Sequence, residues 1–252
     1  MSSFKLTHST AHAASPGTAP LRQVRDLRRL WRIFAAVVIP LGPLLTAVGR
    51  GILPYWTTDP TATMVANSLA AQPTMTALHW MGLIYIPVML LGTLGLGYVA
   101  RRGAPLLATI GTALAFWAWA LSAATVNTDA LVWSLGLNGY SAGSITDILT
   151  ALAGDPVGMV GAAVWLVGHV VGMVLLGVAL GRAGILNWWF AAGLIVCQPI
   201  HLVSAVILPS RLLDVTLGWG LAAACCVAVA VAVLRMDDAE WDLAPKSPPA
   251  RS

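Results

Sequence analysis

Six runs of apolar residues, each about 20 residues long, dominate the hydrophobic pattern of this 252-residue chain. They cover about 33–53, 77–100, 104–126, 157–180, 185–207 and 215–234. Each is long enough to cross the hydrocarbon of a bilayer as a helix. Two weaker periodic segments lie between them. Segment 59–72 opens Asp59-Pro60, an N-cap followed by proline at the first helical position, and carries Met64, Val65 and Leu69 on one side. Segment 144–153 opens Ser144-Ile145-Thr146-Asp147, which reads as a capping box ahead of an apolar stripe of Ile145, Ile148, Leu149 and Leu152. The pattern predicts an all-α membrane bundle of six transmembrane helices, both termini cytoplasmic, with two short amphipathic helices on the outer surface. Its boundaries are a disordered cytoplasmic tail at 1–20, a basic amphipathic juxtamembrane helix at 21–32, the transmembrane domain at 33–234 and a cytoplasmic tail at 235–252.

Composition agrees with that class. Residues are 58% hydrophobic and 10% charged, against about a quarter charged in soluble domains. Charge placement then orients the spans, because cytoplasmic flanks collect Lys and Arg. Twelve of the fourteen basic residues fall on the side of the termini, leaving Arg50 and Arg211 for the other face. The expected location is the bacterial cytoplasmic membrane, multi-pass, with the N and C termini inside. This asymmetry accounts for the pI near 9.3, so nucleic acid is not an expected partner. Trp31, Tyr98, Trp188 and Trp189 fall at inner ends, and Tyr55, Trp56, Trp80 and Trp219 at outer ends, as interfacial aromatics should. The first span is expected to be retained rather than cleaved as a signal peptide. Cys197, Cys225 and Cys226 all fall within spans, so no disulfide framework ties the outer loops.

Several chemistries lose support. Glu240, in the tail, is the only glutamate, and each Asp is placed in a loop, a tail or at a helix end. Asp155, before Pro156, and Asp214 are expected to cap the starts of spans 4 and 6. No carboxylate is then left inside a span for a proton relay or cation site. HExxH, GxSxG and GxxxxGK[ST] are absent, and the chain is not expected to be an enzyme.

The candidate chemistry lies with the histidines. On span 5, Asn187, Gln198, His201 and Ser204 share one broad stripe. Pro199 frees the carbonyl of Ile195, predicting a kink there. On span 4, Gly158, Ala162, Trp165, His169 and Gly172 share a face whose small residues suit close helix contact. By helical rise, His169 lies roughly 18 Å, His201 roughly 10 Å and His79 roughly 3 Å below the outer surface. Three readings stand. In one, the imidazoles are packing groups of a structural or accessory subunit with no ligand. In the second, His79, His169, Gln198, His201, Ser204 and Arg50 line an outward-facing polar pocket that binds or moves a small solute. In the third, a His pair holds b-type haem or a metal, against which the depth differences count. The leading specific expectation, beside the packing reading, is the solute pocket, with no cofactor and no metal. Arg50 is equally suited to snorkelling toward headgroups.

Three stretches carry a family resemblance: LRRLWR followed by VVIPLGPLL, the span HWMGLIYIPVMLLGTLGLGYVARRG, and the hairpin GHVVGMVLLGVALGRAGILNWW. Over about 30–240 the chain resembles uncharacterised six-helix integral membrane proteins of actinobacteria, a group of unknown function, and this resemblance implies no catalytic or binding residues. A basic helix before six spans also resembles the permease subunits of some ABC exporters, but the inner turns at 101–103 and 181–184 leave little surface for an ATPase. The expected partners are the lipid bilayer and a small-molecule solute. Gly-rich faces would serve homo- or hetero-oligomers by the same physics.

Overall fold

The spans begin where local chemistry permits. Before span 4, the Asp155 carboxylate accepts from the Gly158 backbone N–H at 2.7 Å, with Pro156 at the first helical position. In the computed structural model, which describes residues 26–124 and 127–242, six helices are long and apolar enough to cross a membrane. They are α1 (Arg28–Ile52), α3 (Gln72–Ala100), α4 (Pro105–Ala124), α7 (Pro156–Arg182), α8 (Trp188–Ile207) and α9 (Arg211–Arg235). The short helices α2 (Thr61–Ala70), α5 (Thr128–Leu137) and α6 (Ala142–Ala153) lie between them at the end away from the termini. A last short helix, α10 (Asp238–Asp242), follows span 6.

Chain neighbours are spatial neighbours: α1 packs on α3, α3 on α4, α4 on α7, α7 on α8, α8 on α9, and α9 closes the ring on α1. The tightest seam joins α4 and α7. A Cβ added to Gly172 would lie 2.7 Å from the Ala115 backbone nitrogen and 2.8 Å from the Gly111 carbonyl oxygen, so only glycine admits this crossing. At the terminal end the ring is filled by Leu96, Leu176, Leu180, Leu194, Cys225, Cys226 and Val229, all buried. At the loop end the filling turns aromatic, around Trp119 and Trp219. A third cluster of Val65, Val132, Ile145 and Leu149 knits α2, α5 and α6 into a cap.

The expected spans and both amphipathic segments are present, with corrected ends. Ser141, not Ser144, caps α6, its hydroxyl accepting from the Ser144 N–H at 3.1 Å. Asp59 does not cap α2; its carboxylate accepts from the Trp56 N–H at 2.8 Å, inside the preceding turn. Between these segments α5 is an addition, started by Asn127 accepting from the Ala130 N–H. Residues 28–32 continue directly into span 1. The proposed tail at 1–20, the juxtamembrane residues 21–25 and the tail from 243 lie outside the described residues.

After span 6 the chain folds back on the terminal end. Trp241 is buried against Tyr98, whose hydroxyl donates to the Trp241 carbonyl at 3.0 Å. Ion pairs Arg28–Asp242 at 2.9 Å and Arg32–Asp238 at 2.7 Å flank this contact.

Candidate functional site

The site is made by irregularities in α8 and α9. Helix α8 passes Pro199 without interruption and turns π-helical over Val203–Ile207. Helix α9 is capped by Ser210, whose hydroxyl accepts from the Leu213 N–H at 3.4 Å, and is π-helical over Asp214–Gly220. A π turn adds a residue to the ring and resets which side chains face inward, and such turns often mark functional sites. Asp214 therefore is not the cap expected from the sequence. It lies inside the helix with 0% exposure, so a carboxylate does sit inside a span. Ser210 takes the capping role because it stands where the helix starts, and Asp214 is left free to turn inward.

Its two oxygens are shared. Arg50 Nε donates to Asp214 Oδ2 at 2.7 Å, and His201 Nδ1 lies 2.5 Å from Oδ1. Trp219 Nε1 lies 3.1 Å from the same His201 nitrogen. One ring nitrogen carries either a proton or a lone pair, so it cannot serve both neighbours. The closer contact to a carboxylate is the stronger one, which assigns the proton to Nδ1, donating to Asp214. Gly218 is what lets α9 come this near: a Cβ there would lie 3.2 Å from that of His201. Ser204 completes the cluster, its hydroxyl donating to the Ile200 carbonyl at 2.7 Å and lying 3.5 Å from Asp214 Oδ1. Serine, histidine and aspartate meet here without forming a nucleophile and its base. Ser204 sits beside the carboxylate, and its proton is committed to backbone.

His169 and His201 are closer than their depths along the helices predict, with ring centroids 5.7 Å apart. Side chains lean toward the N-terminus of their helix. Helices α7 and α8 run antiparallel, so the two imidazoles lean toward each other. His169 Nδ1 donates to the Trp165 carbonyl at 2.6 Å, which leaves Nε2 as the bare acceptor, without a partner. Gln198 is buried beside Cys197, its Nε2 lying 3.8 Å from the thiol sulfur, and its Oε1 has no partner. The depth argument against a shared haem iron thus falls, but the packing does not fit one. Trp219 stands 5.0 Å from His201 and 6.4 Å from His169, which places its ring beside the midpoint of the pair, where a porphyrin plane would lie. Among the described residues no group of three or more His, Cys, Asp or Glu is placed to hold a metal.

Arg50 faces two ways. Besides pairing with Asp214, it lines a cavity of about 250 Å³ at the loop end, between α1, α3 and α5. His79, Tyr85, Tyr55, Asn127 and Asp129 share the wall with apolar Leu45, Met75 and Leu78. The His79 ring stacks on Trp133 at 3.9 Å. The Tyr55 hydroxyl donates to Asp129. Burial raises the pKa of Asp129 above the ordinary carboxyl range, opposed in part by the Tyr55 hydrogen bond and the Arg50 charge. Burial likewise raises Tyr55, and the neighbouring Asp129 charge adds to it. The segment after α1 closes the back of the cavity. Trp56 lies under the Arg50 guanidinium at 4.4 Å, Arg211 donates to the Tyr55 carbonyl at 2.6 Å, and Thr57 donates to the Ala205 carbonyl at 2.8 Å.

The six residues expected in one pocket therefore divide. Arg50 and His79 line the cavity; His169, Gln198, His201 and Ser204 form a closed polar layer behind it; Arg50 joins the two. Asp214, Asp129, Tyr55 and Trp219 were not expected. The available signal for Asp214 was Ser210, the better-placed cap four residues earlier. Comparison with known protein families, with curated proteins and with solved structures finds no match.

Proposed function

We propose that this six-span membrane protein binds a small solute in the cavity between α1, α3 and α5, entered from the face away from the termini. In the orientation favoured by its basic residues, that face is the outside of a bacterial cytoplasmic membrane. The observation that carries this reading is the double role of Arg50. Its Nε is held by Asp214, while Nη2 is buried without a partner on a side chain that lines the cavity. A buried guanidinium N–H left unpaired is costly, and a bound polar group would satisfy it. The apolar wall supplies contact area and the few polar groups supply orientation, the usual division of labour in a small-molecule site. The buried His201–Asp214 pair fixes Arg50 in position.

The test uses Gly82, which lines the cavity and where an added Cβ meets nothing within 4 Å. Gly82→Cys in intact cells should react with a membrane-impermeant thiol reagent at least an order of magnitude faster than the lipid-facing control Leu83→Cys. The native cysteines are buried and give little background. Equal rates for the two variants would refute an outward-open cavity.

A further inference from the structure

At the opposite end of the bundle, a second concavity has the shape and charge of a lipid site. Trp31, Ala35 and Val38 on α1 face Leu91, Gly95 and Tyr98 on α3, and together they line a groove of about 410 Å³. Both triplets have the same spacing, four residues and then three, which keeps them on one helical face. Seven residues of helix give the groove a length of about 10 Å along the membrane normal. The small residues Ala35 and Gly95 stand mid-groove and make it concave. Trp31, Tyr98 and Trp241 stand at its mouth, where interfacial aromatics belong.

Charge at that mouth is unevenly compensated. Arg28 pairs with Asp242 at 2.9 Å, Arg32 with Asp238 at 2.7 Å and Arg102 with Glu240 at 3.9 Å. Arg101 has no carboxylate within ion-pairing distance among the described residues; its guanidinium lies 3.5 Å over the Tyr98 ring instead. The acidic helix α10 thus pairs with Arg28, Arg32 and Arg102 and leaves Arg101 without a paired carboxylate among the described residues, on the aromatic that borders the groove.

We propose that this groove binds an anionic phospholipid, with an acyl chain along α1 and α3 and the phosphate on Arg101. A guanidinium is suited to phosphate, and a headgroup without its own cation leaves that contact unopposed. A zwitterionic lipid brings an ammonium beside Arg101 and gains less.

The experiment is native mass spectrometry of the detergent-purified full chain, titrated with phosphatidylglycerol or with phosphatidylcholine of matched chains. One phosphatidylglycerol should bind saturably, and phosphatidylcholine about tenfold more weakly, the size of one charge-assisted contact. Arg101→Gln should erase that preference, weakening phosphatidylglycerol far more than phosphatidylcholine. Leu94→Trp, on the exposed wall of the groove, should weaken both lipids. Circular dichroism of each variant reports folding independently. Equal binding of the two lipids, uptake that never saturates as for annular lipid, or an unchanged preference in Arg101→Gln would each overturn the site.

Discussion

The two ends of the bundle use the same chemistry in opposite surroundings. Near the termini, Arg28–Asp242 joins two residues at the surface, and Arg32–Asp238 sets a largely buried guanidinium against a carboxylate about half exposed. Near the loops, Arg50–Asp214 joins residues 164 apart in sequence, with the carboxylate fully buried. In water the partners of an ion pair can separate at little cost. In the interior Arg50 has no second ion-paired carboxylate among the described residues, so losing Asp214 strands its charge. Environment, not ion-pair count, decides which contacts hold the fold.

The largest effect should come from Asp214→Ala, which leaves Arg50 uncompensated and should lower stability by about 3–5 kcal/mol in a detergent-unfolding titration. The double variant Arg50→Met, Asp214→Leu should recover most of that loss, since an apolar pair of similar volume often replaces a buried ion pair without penalty. A double variant no better than the single one would show that shape, not charge, is at stake. Next, His201→Ala should cost about 1–3 kcal/mol, the range for leaving a buried hydrogen-bonding group unsatisfied, with Asp214 keeping Arg50. Circular dichroism melts would measure it, and an unchanged melt would remove His201 from the network.

A smaller effect, dependent on pH, belongs to Asp129. Its pKa in the folded protein is raised by burial above its unfolded value. The fold therefore favours the protonated acid, and stability should decline as pH rises from the ordinary carboxyl range through the raised folded value. Asp129→Asn still offers Tyr55 an acceptor and should flatten that decline; a melting temperature profile that keeps its slope would contradict the assignment. Smallest of all, Asp242→Asn, which breaks the exposed pair with Arg28, should cost under about 1 kcal/mol, and less at high salt. A larger loss would mean that α10 is more than a surface attachment.

The sequence makes the six spans legible because each is a long apolar run and because the basic residues gather at every second boundary, on the side of the termini. Helix α5 was hidden: TDALVWSLGL is only ten residues long, too short to read as a span, and its apolar positions face a cap made by segments far along the chain. The site was half legible. His169, Gln198, His201 and Ser204 announce themselves as polar groups in apolar runs, and all four are buried. Asp214 does not, because an aspartate near the start of a span reads as a cap. Only closure of the ring, with α9 against α1, brings it to Arg50. Depth counted from helix ends misplaced the His169–His201 pair, since it ignores the direction in which side chains lean.

That closure has a consequence for how the protein is made. Arg50 emerges with the first span and its carboxylate with the last, where Asp214 stands in the first turn of α9, fully buried. The first span must therefore wait, its guanidinium unneutralised, while four more spans are synthesised. Completion of this pair waits for span 6, and a chain truncated before it would leave Arg50 without its carboxylate.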